Sequence, residues 1–369
     1  MKQLQIAPVV HEFANFGEFA AEFQLTEKDL ILTNEYIYKP LIAPYGPACQ
    51  TIFQETFGAG EPSAVMVDAI LAEMNRLECG RVIAVGGGTI IDIAKVLAVS
   101  DHTEHVDDLY DNMAGLRQRH ELFILPTTCG TGSEVTNISV INRTKLGTKQ
   151  GLVSAAMFAS HAVLIPELIS TLPYGVFATS SIDALIHAVE SYLSPKASPF
   201  TELFSVAAIR DILNGYKAVA ADKTALKGLS GQFLRASNYA GIAFGTAGCG
   251  TVHAMSYALG GKYHVAHGES NYQFFVPVLE LYRKKAPEGK LASLEALLRE
   301  VLGAPDGIAA LKDLLEKILP HKPMNAYGAT QEDIAPFAES TVANQQRLLG
   351  NSYVPLTQDE IRGLFQGCL

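Results

Sequence analysis

Asp183 and His187 stand four residues apart in Thr179-Ser-Ser-Ile-Asp-Ala-Leu-Ile-His-Ala-Val-Glu-Ser191, a segment whose apolar residues recur with helical spacing. On a helix such positions share one face, with Cβ atoms about 5–6 Å apart. A carboxylate and an imidazole placed that way can hold one divalent metal ion. The pair constrains the fold, because the remaining ligands must then be brought in from elsewhere in the chain. The stretch Gly250-Thr-Val-His-Ala-Met-Ser-Tyr-Ala-Leu-Gly-Gly-Lys-Tyr-His-Val-Ala-His-Gly-Glu269 offers His253 and His267, fourteen residues apart. A continuous helix would separate them by about 21 Å. Gly260-Gly261, poor helix formers, are expected to break the helix and let His267 fold back. The expected metal site is therefore Asp183, His187, His253 and His267, with positions open for water or substrate. A lone Asp/His pair is more often a plain helix-surface contact; two such elements flanked by apolar and small residues say more.

The chain has 369 residues, enough for two domains sharing a cleft. Its 48% hydrophobic content suits a globular protein with a substantial core, and its apolar runs stop short of the ~20 residues of a membrane span. Met1–Pro8 has no apolar signal-like run. The five cysteines are scattered, odd in number and without CxxC spacing, which fits a reducing cytoplasm and argues against disulfides or a thiolate zinc site. A net charge of −10 without a dense basic run excludes a nucleic-acid partner.

In the first half, Asp29–Thr33 reads as a buried strand with Asn34-Glu35 at its carboxyl end, where ligands bind in open α/β sheets. Ala64–Leu77 has helical spacing and stops at Cys79-Gly80. Arg81–Val85 reads as a strand running into Gly86-Gly-Gly88 and a helix from about Thr89 to Ala98. Strand, glycine turn and helix form a phosphate cradle, in which Gly86, Gly87, Gly88 and Thr89 present backbone N–H groups. It departs from G-x-G-x-x-G, since Ile91 falls at the third glycine. Asp92 is read as a cap or a residue facing the cleft. Leu122–Leu125 is a further buried strand, and the hydroxyl-rich loop after Pro126, with Thr127 and Thr128, can bond adenine, ribose and phosphate. Ser139–Gly151 reads as a hairpin carrying Lys149, Cys129 as a packed small residue, and Ala162–Ile165 as the last strand. From about Phe177 the pattern changes to amphipathic helices, notably Glu202–Leu213, Leu229–Ala243, Lys290–Leu302 and Ile308–Leu319. The expected organisation is an α/β dinucleotide-binding domain over residues 1–176 and an all-α metal-binding domain over residues 177–369. The cleft would hold cofactor from the first and metal from the second.

The stretches Gly86–Asp92, Pro126–Glu134, Asp183–His187 and His253…His267 resemble, in order and spacing over nearly the whole chain, the iron-dependent (group III) alcohol dehydrogenase family. Ile31–Pro40, Ser237–Gly245 and Gln345–Leu349 are similar to a branch acting on 4-hydroxybutyrate and succinate semialdehyde. The resemblance implies NAD(H) and Fe(II), with Zn(II) equally suited to three nitrogens and a carboxylate. The metal would act as Lewis acid and the nicotinamide would carry the hydride. It places near residue 34 the side chain that meets the adenosine ribose. Many members carry Asp there, so Asn34 leaves NAD versus NADP open and Glu35 is a candidate replacement charge. It also implies a lysine near the nicotinamide ribose, a role that Lys149 could take. Phe244 and Tyr257 flank the first metal histidine, and Tyr257 stands where some members have histidine. For the substrate carboxylate the candidates are His264, Tyr257, Lys262 and Lys149, with His264 and Tyr257 favoured because they share the segment carrying His253 and His267. The expected partner is a small alcohol or aldehyde, with neither nucleic acid nor membrane, and a homo-oligomer is open. Three alternatives stand: a relative acting on a short-chain alcohol or diol, a lyase resembling dehydroquinate synthase, and a non-catalytic metal-stabilised protein. A lyase would need phosphate clamps, and no Lys/Arg cluster surrounds His253–His267. A non-catalytic protein leaves the glycine turn and the Thr127-Thr128 loop unexplained.

Overall fold

The computed structural model describes residues 2–146 and 148–369. Gly147, within the expected hairpin, and Met1, at the start of the expected first domain, lie outside the described residues. Ile6–Leu172 form one compact unit, and Pro173–Leu369 with the residues up to Gln5 form another. No helix among the described residues is long and apolar enough to cross a membrane.

The first unit is built on a six-stranded sheet of β1 (Val9–Glu12), β2 (Asp29–Thr33), β3 (Gln50–Phe53), β4 (Arg81–Gly86), β5 (Glu121–Pro126) and β8 (His161–Leu164). Their order is β1-β8-β5-β4-β2-β3, and every pairing is parallel. Between β5 and β8 the hairpin strands β6 (Ile138–Arg143) and β7 (Thr148–Val153) pair antiparallel. Because side chains alternate across a strand, Leu30 and Leu32 of β2 join Val82, Ala84, Leu122 and Ile124 on one face. Ile31 joins Ile83, Val85, Phe123 and Leu125 on the other. Helices cover both faces, so these strands read as continuous apolar runs. The helices are α1 (Phe16–Glu22), α2 (Glu35–Leu41), α3 (Ala64–Met74), α4 (Gly88–Val99) and α5 (Val106–Asp111).

The α4 helix carries two charges, one buried and one half-buried, that fasten the loop after β5. Lys95 Nζ, fully buried, donates to Ser133 Oγ (2.7 Å), Thr136 Oγ1 (3.0 Å) and the Ile138 carbonyl (2.8 Å). Asp92 does not cap α4, whose N-cap is Gly87. It accepts instead from the Val140 N–H (2.9 Å) and Ser133 Oγ (3.4 Å). Burial raises the Asp92 carboxyl to about 6 against the pull of Lys95. Burial likewise brings Lys95 down to about 8, with Asp92 and Glu134 holding it up.

The second unit is helical, with α6 (Tyr174–Leu193), α7 (Pro199–Ala221), α8 (Leu226–Ala247), α9 (Thr251–Tyr263), α10 (His267–Lys285), α11 (Gly289–Leu302), α12 (Gly307–Ile318), α13 (Ile334–Asn344), α14 (Gln346–Leu349) and α15 (Gln358–Gly367). The α6 helix is its axis: every residue from Ser181 to Leu193 is buried, under α7, α8 and α10. A helix buried all round needs apolar or paired side chains all round.

One expectation is corrected here. Gly260-Gly261 do not break α9, which runs through both to Tyr263. The reversal falls at His264, in the left-handed region (φ +55°), before α10 starts at His267. The glycines are kept in the helix because packing outweighs a propensity cost of about 1 kcal/mol each. At Gly260 a Cβ would lie 3.2 Å from Ser270 Oγ and 3.4 Å from the Val265 carbonyl.

Gly268 marks the closest approach of α10 to α6, since a Cβ there would lie 2.2 Å from the Thr179 carbonyl oxygen. Gly268→Ala is expected to cost about 1–3 kcal/mol, read as a lower Tm. Gly261, with nothing within 4 Å of its Cβ position, should tolerate Ala with a Tm unchanged or higher. Equal effects at the two glycines would contradict this packing.

Candidate metal centre

Three helices deliver the four expected ligands. Asp183 and His187 lie one turn apart on α6, His253 lies in the first turn of α9, and His267 opens α10. Their donor atoms all fall within 4.8 Å of one another. His187 Nε2 is 3.0 Å from His253 Nε2. Asp183 Oδ1 is 3.8 Å from both His253 Nε2 and His267 Nε2. Ligands about 2.0–2.2 Å from one ion are spaced roughly this far apart, so the donor set fits a single divalent metal. Asp183, His187 and His253 are nearly sealed, at 2%, 5% and 4% exposure. The His267 side chain is 39% exposed, which leaves one side of the cluster open.

A second layer sets the tautomer and the orientation. Glu190, one turn beyond His187 on α6, places Oε2 2.6 Å from His253 Nδ1 and accepts from the Val252 N–H at 2.7 Å through Oε1. A carboxylate on Nδ1 fixes the ring so that the Nε2 lone pair faces the ligand cluster. Asn271, one turn after His267, donates to Asp183 Oδ1 at 2.7 Å. Burial works to raise the Asp183 carboxyl, but His187, His267 and His253, with the Asn271 bond, hold it below the ordinary range. Burial also opposes charge on His253, yet Cys249 and Glu190 beside it raise its pKa well above the usual value.

Aromatic rings close part of the surroundings. Phe244 stacks on His187, not His253, at 4.3 Å between centroids. Tyr257, one turn after His253, has its ring 6.2 Å from that of His267 and is 37% exposed. Burial pushes its phenol up, with His253 and Arg347 pulling it back. His264 is exposed at the end of α9 and makes no hydrogen bond, ion pair or ring contact among the described residues. Lys262 is ion-paired with the buried Asp333.

The expected cofactor residues all lie in the first unit. Gly86 ends β4, Gly87 caps α4, and Gly88 and Thr89 begin it without a side-chain cap for its first N–H groups. A Cβ on Gly86 would meet Ile90 at 2.4 Å, and Thr128 Cγ2 lies 3.4 Å from a Cβ on Gly87. Thr127 donates its N–H to the Gly86 carbonyl, so the two loops lie side by side. Asn34 and Glu35 follow β2, which pairs with β4. Lys149, on β7, is ion-paired with Glu61.

Sequence reading missed Glu190, Asn271 and Glu55. Glu190 shares the α6 face of Asp183 and His187 at positions +7 and +3, and Asn271 is four residues after His267; that spacing was the available signal. Glu55, which accepts from Asn34 Nδ2 (2.8 Å) and the Glu35 N–H (2.6 Å), had none, because it follows a strand not foreseen.

The family model for iron-containing alcohol dehydrogenases matches residues 9–166, and that for the C-terminal part of the Fe-containing alcohol dehydrogenase family matches residues 177–369. The chain belongs to the iron-containing alcohol dehydrogenase family. Within it, the chain is 45% identical over 364 residues to 4-hydroxybutyrate dehydrogenase of Clostridium kluyveri, covering 98% of both chains. It is 36% identical to long-chain-alcohol dehydrogenase 1 of Geobacillus thermodenitrificans, over 77% of this chain and 74% of that one. The fold is that of sulfoacetaldehyde reductase from Bifidobacterium kashiwanohense, solved with NAD+ (TM-score 0.87, 22% identity, covering 100% and 98% of the two chains). A crystal structure of 1,3-propanediol oxidoreductase matches with TM-score 0.85 and 25% identity over 100% of both chains.

For a member of this family with this geometry, Glu190→Gln is expected to weaken metal retention about ten- to a hundredfold. Competition with a chelator, measured as metal content, reads this without turnover. Unchanged retention would remove Glu190 from the support of His253.

Proposed function

We propose that the chain is an NAD-dependent 4-hydroxybutyrate dehydrogenase, interconverting 4-hydroxybutyrate and succinate semialdehyde with Fe(II) held by Asp183, His187, His253 and His267. The observation that supports this best is the buried Asp/His₃ cluster, in a chain so similar along its whole length to the Clostridium kluyveri enzyme. A divalent ion held there would supply a Lewis acid for the carbonyl oxygen, and a bound nicotinamide would supply the hydride. The residues themselves do the rest. Asp183 contributes the single negative charge of the ligand set, and Asn271 keeps its carboxylate from turning away. Glu190 holds His253 in one tautomer, and Phe244 covers the flat face of His187 against water. The open edge at His267 and Tyr257 is the side left for substrate.

The preference for NAD(H) is proposed from charge. Glu35 is paired with Lys39 at 2.9 Å. Glu55 has no cationic partner among the described residues, and is held beside Asn34 at the carboxyl end of β2. In sheets of this kind a carboxylate there bonds the ribose of NAD and disfavours a 2′-phosphate. Cytoplasmic Zn(II) in place of iron would use the same four ligands.

His267→Ala is expected to abolish turnover while NADH binding, followed by fluorescence titration, stays within a few-fold, because the proposed cofactor residues belong to the other unit. Parallel loss of binding would count against the assignment. For the cofactor, Glu55→Gln should raise the NADP(H)-to-NAD(H) ratio of kcat/KM by about tenfold, equivalent to about 1.4 kcal/mol. Glu35→Gln, whose charge is already matched by Lys39, should raise it less. A larger effect at Glu35, or none at either, would refute this ordering.

A further inference from the structure

Succinate semialdehyde carries a carboxylate at the end opposite its aldehyde. Taking that group out of water without a partner is costly, and a protein of net charge −10 offers it no general attraction. A local cation is needed. Most basic side chains of the helical unit nearest in sequence to the cluster are already paired: Lys262 with Asp333, Lys285 with Glu360, Arg283 with Glu295 and Asp306. Arg347 is among those that are not. It is exposed, and it has neither an ion pair nor a hydrogen bond among the described residues.

Its backbone is nonetheless tightly placed. Arg347 lies on α14, whose Leu348 is buried with Cys249 and Ala254, while Phe244 and Leu349 pack against the same cluster. Ala254 follows the ligand His253, and Phe244 is the ring stacked on His187. Just beyond α14, Asn351 Nδ2 donates to the Cys249 carbonyl at 3.0 Å, and the Ser352 and Thr251 hydroxyls are 2.6 Å apart. The stretch from Leu348 to Ser352 is thus fastened to the start of α9 that presents His253. One turn along α9 stands Tyr257, partly exposed beside His267.

We propose that Arg347 is the specificity residue that receives the carboxylate end of the substrate, with the Tyr257 hydroxyl as a second donor. This inference rests on the functional reading above and names the group in the chain that would make it a semialdehyde-acid enzyme. A guanidinium meets a carboxylate with two parallel N–H donors, which the imidazole of His264 at the end of α9 cannot match. The backbone that carries Arg347 is also held in place by its neighbours, so only the side chain has to be ordered when the carboxylate arrives.

The test is the ratio of kcat/KM for succinate semialdehyde to that for butanal, which has the chain length without the carboxylate. It is measured on the iron-loaded full chain and its variants. Arg347→Gln should lower the ratio about ten- to a hundredfold, chiefly through KM for succinate semialdehyde. Arg347→Lys, which keeps the charge, should retain an intermediate ratio and guards against a misfolded Gln variant. Arg347→Glu should bring 4-aminobutanal above succinate semialdehyde. A ratio unchanged in Arg347→Gln, equal losses on both aldehydes, or a fall seen in His264→Ala instead would overturn the assignment. A wild-type protein with no preference for succinate semialdehyde over butanal would overturn the functional reading itself.

Discussion

A carboxylate buried among three imidazoles is the constraint on which the helical unit depends. Asp183 is 2% exposed, in the Ser181–Leu193 stretch of α6 that has no water-facing side. An isolated ionised carboxylate in such a place would cost far more than a folded domain can spare. Its surroundings are arranged accordingly. The N-terminus of α10 is brought against α6 where Gly268 leaves no room for a side chain, so that His267 and Asn271 both reach Asp183. The first turn of α9 is held by Glu190 through a side chain and a backbone N–H. The result is a ligand set of net charge −1 if the imidazoles are neutral, suited to a divalent cation.

The first unit meets a comparable problem with hydrogen bonds and opposite charges together. Lys95 and Asp92 are drawn to opposite sides of the Ser133 hydroxyl, and their partners are the loop after β5 and the start of β6. A buried pair of this kind contributes little net stability, but it fixes one conformation of a glycine-rich loop. That loop lies beside the Gly86–Gly88 turn, and if that turn is the proposed cofactor cradle, neighbours of fixed geometry would lessen the entropy lost when it is filled.

Most of this was legible in the sequence where burial is two-sided. The central strands β2, β4, β5 and β8 are apolar runs between helices and could be placed within a residue or two. The edge strands β1 and β3 could not, because β1 is mostly exposed, β3 is only partly buried, and their residues carry no continuous apolar pattern. The i,i+4 pair on α6 foretold two members of the cluster. The return of His267 was foreseen for the wrong reason: glycine propensity suggested a break at Gly260-Gly261, whereas tertiary packing keeps those residues helical and the chain turns at His264. Arg347 escaped for a different reason. It lies ninety-four positions after His253 in a helix of one turn, and only the burial of Leu348 beside Ala254 brings the two segments together.

The central claim is that one divalent ion is held by three imidazoles and one carboxylate. X-ray absorption spectroscopy on the anaerobically reconstituted Fe(II) protein measures this directly. The account predicts one iron per chain and a nitrogen/oxygen shell at about 2.0–2.2 Å, with the multiple-scattering pattern of three histidines. That pattern should fall to two histidines in a His253→Ala protein. A wild-type spectrum with one histidine or none, or iron bound in substoichiometric and variable amount, would contradict it.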